Sequence, residues 1–599
     1  MTPKQIAAIK AAKLRIETAA TRLAGLTPLL PNKKRNPRGT RRPNLRFVIE
    51  TKTAAKLDEV RKAVGKVLGG SGVLAQGVSW SGRRLTAPGG LRPGLRVGAA
   101  FDVRFMFPGA DPSDPRFKLA NFVVVTLPID PLDAKRNLGG GTGCLYDLAY
   151  AIRDAGNFVR VDPEIPFKGW QTEPSPIPQA PGVQPPAGGT GGGSLVAFSS
   201  GGSQQAPIDH AWNHRKINMP AMGTALANGG AGIRVGQVDT GTRNHPECDN
   251  IYAPVAQHGS TIDGDDDPVD LLSQNPVDAP AHGIATASVL ASRGGVAPFS
   301  LSSGAPLGIG TTNPSGGTGA PNNEVTGIAN QCTVVPVRAV SSVFLNVLNI
   351  NLAEGVWHCI QQNVQVITMS IGGLCHPWLE RVISFAVFNN IIVVGAAGQV
   401  SPWVPAPAVY EDCIAVTAST PTDVVMGWPM PASRGTAIDV GAPGSPIYCA
   451  DANLIRGNFI GANSGTSFAA PTVAGAAALW LARHGQAALI QQYQGGPRLA
   501  EVFRHLISAT AHVPPGWNTN ESGAGIIDVS ALLNAALPAA GTVAARNWAA
   551  YDAATEEQIL ATQLGSPNQN AFLTALATLF NTTVAEVSAR LQEFGSEVL

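Results

Sequence analysis

Charge is scarce in this chain. Of 599 residues only 14% are Asp, Glu, Lys or Arg, and 43 basic against 41 acidic side chains leave a net charge of +2. So even a balance implies no partner attracted by an overall field, so neither nucleic acid nor an acidic surface is expected to bind. No window approaches the uncharged apolar run of about 18 residues that marks a membrane-spanning helix. The longest candidate, AAPTVAGAAALWLA (469–482), reads as a buried helix. The opening MTPKQIAAIKAAKLRIETAATRLAGL lacks the continuous apolar stretch of a signal peptide. A cytoplasmic location is therefore the expectation, with secretion left open. Ile9, Ile16 and Leu23 recur as on one face of a helix instead. Cysteines number seven, an odd count with no metal-finger spacing. Scattered, mostly reduced thiols fit best, with one or two disulfides still allowed.

What is present is a large globular chain. It is 44% hydrophobic, with 67 glycines and 47 prolines to build turns. Residues 1–43 read as a helix and a basic arm, PNKKRNPRGTRRP, which is better taken as a solvated tail than as a nucleic-acid contact. Residues 44–168 alternate strand and helix patterns, among them LRFVIET, AAKLDEVRKAVGKVL, NFVVVTLPI and LYDLAYAIRDAG. They predict a small α+β, ferredoxin-like unit. Residues 169–207 are a proline- and glycine-rich linker. Residues 208–538 alternate near-continuous apolar strands (IRVGQVDT, QVITMSI, IIVVGAAG, CIAVTAS) with helical patterns, which predicts an α/β fold with a parallel sheet covered on both faces. Residues 541–599 carry helical patterns and read as a C-terminal appendage.

Three short stretches carry chemistry. Ser467 lies in GANSGTSFAAPTVAG, at a predicted helix start whose free N–H groups and positive end favour a developing negative charge. Gly465 permits close approach, and Pro471 falls early in the helix, where its missing N–H costs least. A serine hydroxyl needs a base, and the base an orienting carboxylate. His282, in AHGIATA, begins an apolar helix, and Asp239, in GQVDTG, ends a buried strand, where α/β sheets place their sites. Each alone has a bland reading: a helix N-cap, a structural histidine, a turn aspartate.

Together, DTG, HGIATA and GTSFAAPTVAG, in the order Asp239, His282, Ser467, resemble the subtilisin-like serine proteases, the subtilases. TGIANQCTVVPVRAV, VITMSIGG, AIDVGAPG and WNTNESGAGIIDVSALLNAAL extend the resemblance across 208–538. It implies a serine endopeptidase in which Asp239 orients His282, His282 is general base and then acid, and Ser467 is the nucleophile. It implies that Ser370, Ile371 and Gly372 pair with a protein or peptide substrate. Gly395, Ala396 and Ala397 would line the specificity pocket, with Trp403 a candidate cap. No cofactor is required on this reading, and calcium is a candidate ion.

The chain departs from the family in one chemically active place. Where the family has an asparagine as oxyanion donor, the segment GAAGQV offers Gln399, one methylene longer, beside the backbone of Ser467. Ile284 and Ala285 also replace the usual residues after the histidine. Residues 44–168 resemble the family's propeptide, which implies that the chain's own N-terminal domain is an intramolecular inhibitor. The rivals are a permanent accessory domain and, for the whole chain, a catalytically silent scaffold of the same fold. His210 and His214 have metal-like spacing without the glutamate of a zinc helix. The acidic run Asp263–Asp270 lacks the EF-hand pattern and reads as a solvated loop, with no metal site assigned. Cys375 is expected near the cleft, where it would make the site thiol-sensitive.

Overall fold

The computed structural model describes residues 45–69, 72–74, 78–81, 84–86, 101–127, 143–164, 212–220, 228–262, 268–270, 281–293, 325–341, 343, 350–373, 375–399, 404–427, 431–453, 457–551 and 583. The N-terminal arm, the linker, Trp403, His210 and the helical patterns after residue 551 lie outside this set.

The N-terminal unit runs β1 (Leu45–Glu50), α1 (Leu57–Gly69), β2 (Gly72–Leu74), β3 (Val78–Ser81), β4 (Arg84–Thr86), β5 (Asp102–Phe105), β6 (Phe122–Leu127), α2 (Gly143–Gly156) and β7 (Arg160–Pro163). Strands β2 to β4 form a small sheet of their own. The others form an antiparallel sheet in the order β5-β6-β1-β7. With a helix after β1 and another before β7, this is the ferredoxin-like split βαβ arrangement.

The main unit follows with α3 (Trp212–Lys216), β8 (Arg234–Asp239), β9 (Gly259–Ser260), α4 (His282–Ala291), β10 (Thr333–Arg338), α5 (Ile350–Gln361), β11 (Val366–Met369), α6 (Pro377–Phe388), β12 (Ile392–Ala396), β13 (Ile414–Ser419) and β14 (Val440–Pro443). An antiparallel pair, β15 (Ile447–Asn453) and β16 (Gly457–Asn463), leads into α7 (Thr466–His484). The seven-stranded sheet is parallel throughout, in the order β14-β13-β12-β11-β8-β10-β9. The α/β fold expected from the apolar strands is therefore the fold observed. β10 pairs on one side of β8 and β11 on the other, so the chain reverses its course at β8, the kind of position where open α/β sheets bind ligands.

Alternation along β8 decides what faces what. A Cβ on Gly236 would meet Cys359 of α5, and Val238 packs against Gly355 of the same helix. Gln237 points the other way and donates to Gly283 O and Thr286 Oγ1 of α4, both at 2.7 Å. Asp239, two residues on, shares that second face. Helix α7 packs beside α4 and under β11 to β14, while α5 and α6 pack together against the opposite face. The alanine-rich α7 can lie this close because its side chains are small. Gly475 sits where a Cβ would fall 2.7 Å from Ile328.

The N-terminal sheet rests on α5 and α6. Phe107, Phe117 and Phe122 are no more than 1% exposed and belong to one apolar core with Trp357, Trp378 and Val382. Their rings meet Trp357 at 5.8 Å, Phe385 at 5.4 Å and Trp378 at 6.4 Å respectively. Truncating one such buried phenylalanine to alanine costs about 3–5 kcal/mol. Polar contacts fix the register: Arg46 donates to Asn351 Oδ1 at 2.7 Å, Trp357 Nε1 to Pro108 O at 3.1 Å, Arg381 pairs with Glu50, and Arg104 with Glu354.

A C-terminal strap closes the seam. After α8 (Gln486–Gln492) and α9 (Leu499–Thr510), the chain returns so that Tyr551 and Trp548 pack on Phe117, with ring centroids 4.8 and 6.3 Å away. Arg546 pairs with Asp412, and the Tyr551 hydroxyl donates to Glu380 at 3.2 Å. Burial, reinforced by the charge of Asp412, pushes the Glu380 carboxyl up to about 7. A carboxyl raised in the folded state holds a proton that the unfolded chain releases. Its contribution is complete below the unfolded pKa and is lost as pH rises through 7. Thermal unfolding should show it: wild type loses more Tm between pH 5 and pH 8 than Glu380→Gln does. Equal pH slopes would contradict this.

Candidate active site

Asp239 ends β8 and is 1% exposed. One oxygen, Oδ1, accepts from His282 Nδ1 at 2.7 Å and from the Thr240 N–H at 2.7 Å. The other lies 3.1 Å from the Thr286 hydroxyl. Thr286 is a site residue that the motif reading did not single out. Its spacing, four residues after His282, was the available signal, because i and i+4 share a helix face. The strand end and the helix start touch backbone to backbone. A Cβ on Gly283 would fall 2.2 Å from Gly241 O, and Gly241 itself has φ +114°, which a side chain would strain.

Ser467 is the second residue of α7, so its N–H has no partner within the helix. Its hydroxyl donates to Ser370 O at 3.3 Å, and the Ser370 hydroxyl donates back to Ser467 O at 2.7 Å. His282 faces the next residue, Phe468, with ring centroids 6.1 Å apart. The serine, the histidine and the aspartate thus meet at one end of the sheet. The serine hydroxyl rests on Ser370 rather than on the imidazole. Catalytic hydrogen bonds often tighten only when substrate is bound.

The Gln399 side chain lies against the start of α7. Its carbonyl Oε1 accepts from the Thr466 N–H at 3.1 Å, folding the side chain over the start of α7. That bond sets the amide orientation, since only the oxygen can accept from an N–H. The Nε2 donor is then turned away from Thr466. The loop is braced by Gly398 N donating to Thr466 Oγ1 at 3.1 Å and by pairing with Ala432.

Other expected residues are placed differently from their anticipated use. The Gly372 N–H donates to Val343 O at 3.2 Å, so part of the edge assigned to substrate is occupied. Ser370 and Ile371 are buried beside it, at 3% and 1% exposure. Gly395 is small because a Cβ there would strike Cys413 and Ala408. Ala397 is buried among Val404, Ala408, Ala415 and Ile438, and Ala396 is buried too. The smallness of Gly395 serves its packing against Cys413 and Ala408. Ile284 and Ala285 are core residues of α4.

His214 is half-buried with a ring nitrogen 2.8 Å from Thr326 O, and desolvation holds its pKa below the usual value. Among the described residues no three His, Cys, Asp or Glu groups cluster as metal ligands. Residues 263–267 lie outside the described set, but Asp270 does not fit the reading of this run as a solvated loop. It is 3% exposed and its carboxylate is already committed to Thr240 and Ala281. No described helix is long and apolar enough to cross a membrane.

A parallel α/β sheet with Asp, His and Ser gathered at its switch point is an arrangement shared with serine hydrolases of subtilisin type. Residues 230–526 match the model of the Subtilase family. It is 30% identical over 281 residues to the thermophilic serine proteinase of Bacillus sp. (strain AK1), covering 46% of this chain and 56% of that protein. It is 28% identical over 262 residues to thermitase of Thermoactinomyces vulgaris, covering 43% of this chain and 78% of that protein. A protease from Pseudoalteromonas arctica aligns in structure with TM-score 0.41 and 23% identity, over 54% of this chain and 96% of that one. The chain thus spans a little over half the length of the Bacillus relative.

The described cysteines, Cys248, Cys332, Cys359, Cys375, Cys413 and Cys449, are buried thiols. Burial pushes Cys332 up to about 12 and raises Cys248, Cys359, Cys413 and Cys449 as well. Cys375 is 2% exposed, so the expected thiol sensitivity has no accessible sulfur behind it. Iodoacetamide should leave all six unmodified in the native chain by peptide mass mapping. Rapid alkylation of Cys375 would contradict that burial.

Proposed function

We propose that the chain is a serine endopeptidase. The observation that carries this reading is the hydrogen bond from His282 to a buried Asp239, beside a serine at a helix N-terminus. Asp239 and its donors hold the imidazole so that Nε2 faces the nucleophile. His282 takes the Ser467 proton as Oγ attacks the peptide carbonyl carbon. The oxyanion is held by the Ser467 N–H and Gln399 Nε2. His282 then passes the proton to the leaving amine. Water, deprotonated by the same nitrogen, releases the acyl group. The substrate backbone would pair with Ser370 to Gly372 by β-augmentation, displacing Val343 from Gly372.

The N-terminal unit, on this proposal, is an intramolecular inhibitor rather than an accessory domain. Its support is the continuous apolar interface with α5 and α6 and the ion pairs that fix its register. The rival reading, a catalytically silent scaffold of the same fold, rests on Gln399, whose Oε1 accepts from the Thr466 N–H.

Hydrolysis of a chromogenic peptide anilide tests the first proposal. Ser467→Ala should abolish it. Gln399→Ala should lower kcat by about a hundred- to a thousand-fold, the cost of one oxyanion donor. Unchanged turnover in Ser467→Ala would remove the mechanism. The inhibitor proposal has its own cycle. Arg104→Glu should speed hydrolysis by the full-length chain, and adding Glu354→Arg should slow it again. A rate in Arg104→Glu equal to wild type would leave the N-terminal unit without an inhibitory role.

A further inference from the structure

Behind the Asp239–His282 pair lies a second buried carboxylate, Asp270, from a segment that the motifs do not include. Its Oδ2 accepts from the Thr240 hydroxyl at 2.7 Å and from the Ala281 N–H at 2.9 Å. Those two residues flank the dyad, since Thr240 follows Asp239 and Ala281 precedes His282 in the chain. The Thr240 oxygen also accepts from the Gly283 N–H at 2.9 Å, on the far side of His282. One side-chain oxygen thus ties the end of β8 to the start of α4. Backbone pairing seats the segment, with the Thr242 N–H donating to Pro268 O at 2.8 Å and the Asp270 N–H to Thr242 O at 2.7 Å.

Ala281 supplies an independent observation. It has φ +66°, in the left-handed region that a non-glycine residue enters only when its surroundings hold it there. It is 1% exposed, and its N–H is bound by Asp270. The strained residue sets the direction in which His282 leaves the loop. Asp239 and Arg338 are the charged groups that bear on Asp270.

We propose that Asp270 is a positioning residue for catalysis: it fixes the imidazole of His282 against Asp239 through Thr240 and Ala281. It touches neither substrate nor the reacting atoms. The proposal rests on the serine endopeptidase reading for its kinetic consequence but not for its structural one. Both bonds end on one oxygen, so an amide oxygen can accept both. The role is therefore one of geometry, which Asp270→Asn keeps and Asp270→Ala removes.

The test uses the full chain and two readouts. The first is the low-field proton resonance of His282 Nδ1–H, assigned by its loss in His282→Ala. It should persist in Asp270→Asn and vanish in Asp270→Ala and in Thr240→Val. The second is peptide hydrolysis per folded molecule. Asp270→Ala should lower kcat about 10- to 100-fold with KM nearly unchanged, the penalty of misorientation rather than lost binding. Asp270→Asn should stay within about threefold of wild type. Asp270→Ala and Thr240→Val should not add, because they break one chain of bonds. A low-field signal and kcat both preserved in Asp270→Ala, with only Tm reduced, would overturn the proposal. Resonances that behave as expected in a chain that stays without hydrolytic activity even when Arg104→Glu is introduced would support the positioning role while refuting the endopeptidase reading.

Discussion

The short backbone approach between Gly241 and Gly283 is the constraint on which the site depends. It brings the end of a sheet strand against the first turn of a helix with no side chain between them. Only then can a carboxylate on one and an imidazole on the other meet at hydrogen-bond distance. The topology chooses the place, because β8 is where the chain changes direction within the sheet. The alternation of β8 chooses the face, sending Gln237 and Asp239 toward α4 while Gly236 and Val238 serve the packing of α5. A side chain at Gly283 would strike Gly241 and separate the pair before any chemistry arose.

Around this contact the polar groups are satisfied in layers. Asp239 takes donors from His282, Thr240 and Thr286. Thr240 and Ala281 are in turn held by Asp270. Burying two carboxylates this close is costly, and burial together with the charge of Asp239 pushes Asp270 up to about 6. The folded chain tolerates that cost because the donors are fixed by the backbone. On the opposite face of the sheet, the N-terminal unit and the C-terminal strap meet over α6 through Phe117, Trp548 and Tyr551. Phe117 and the 548–551 stretch therefore share one seam, remote in sequence and continuous in packing.

Much of this was legible in the residues. The parallel sheet followed from apolar strands without polar alternation, and the Asp, His and Ser candidates followed from residue types whose chemistry has few other uses in that order. Asp270 was not legible. Within an acidic run it looked solvated, and its partners stand 30 and 11 residues away. Gly395 and Ala397 were read for the room they leave, whereas Cys413, Ala408 and Ile438 already fill it. Arg546, Trp548 and Tyr551 carry no local pattern that announces their place against Asp412, Phe117 and Glu380. Local periodicity reports the elements; it is silent about which distant side chain completes them.

The most direct test of the central claim is the site of covalent labelling by a fluorophosphonate, read by intact mass and peptide mapping. The account predicts one adduct per chain, on Ser467, with labelling lost in His282→Ala. Adducts spread over several serines, or labelling of Ser467 that survives removal of His282, would contradict an activated nucleophile and with it the mechanism drawn from this site.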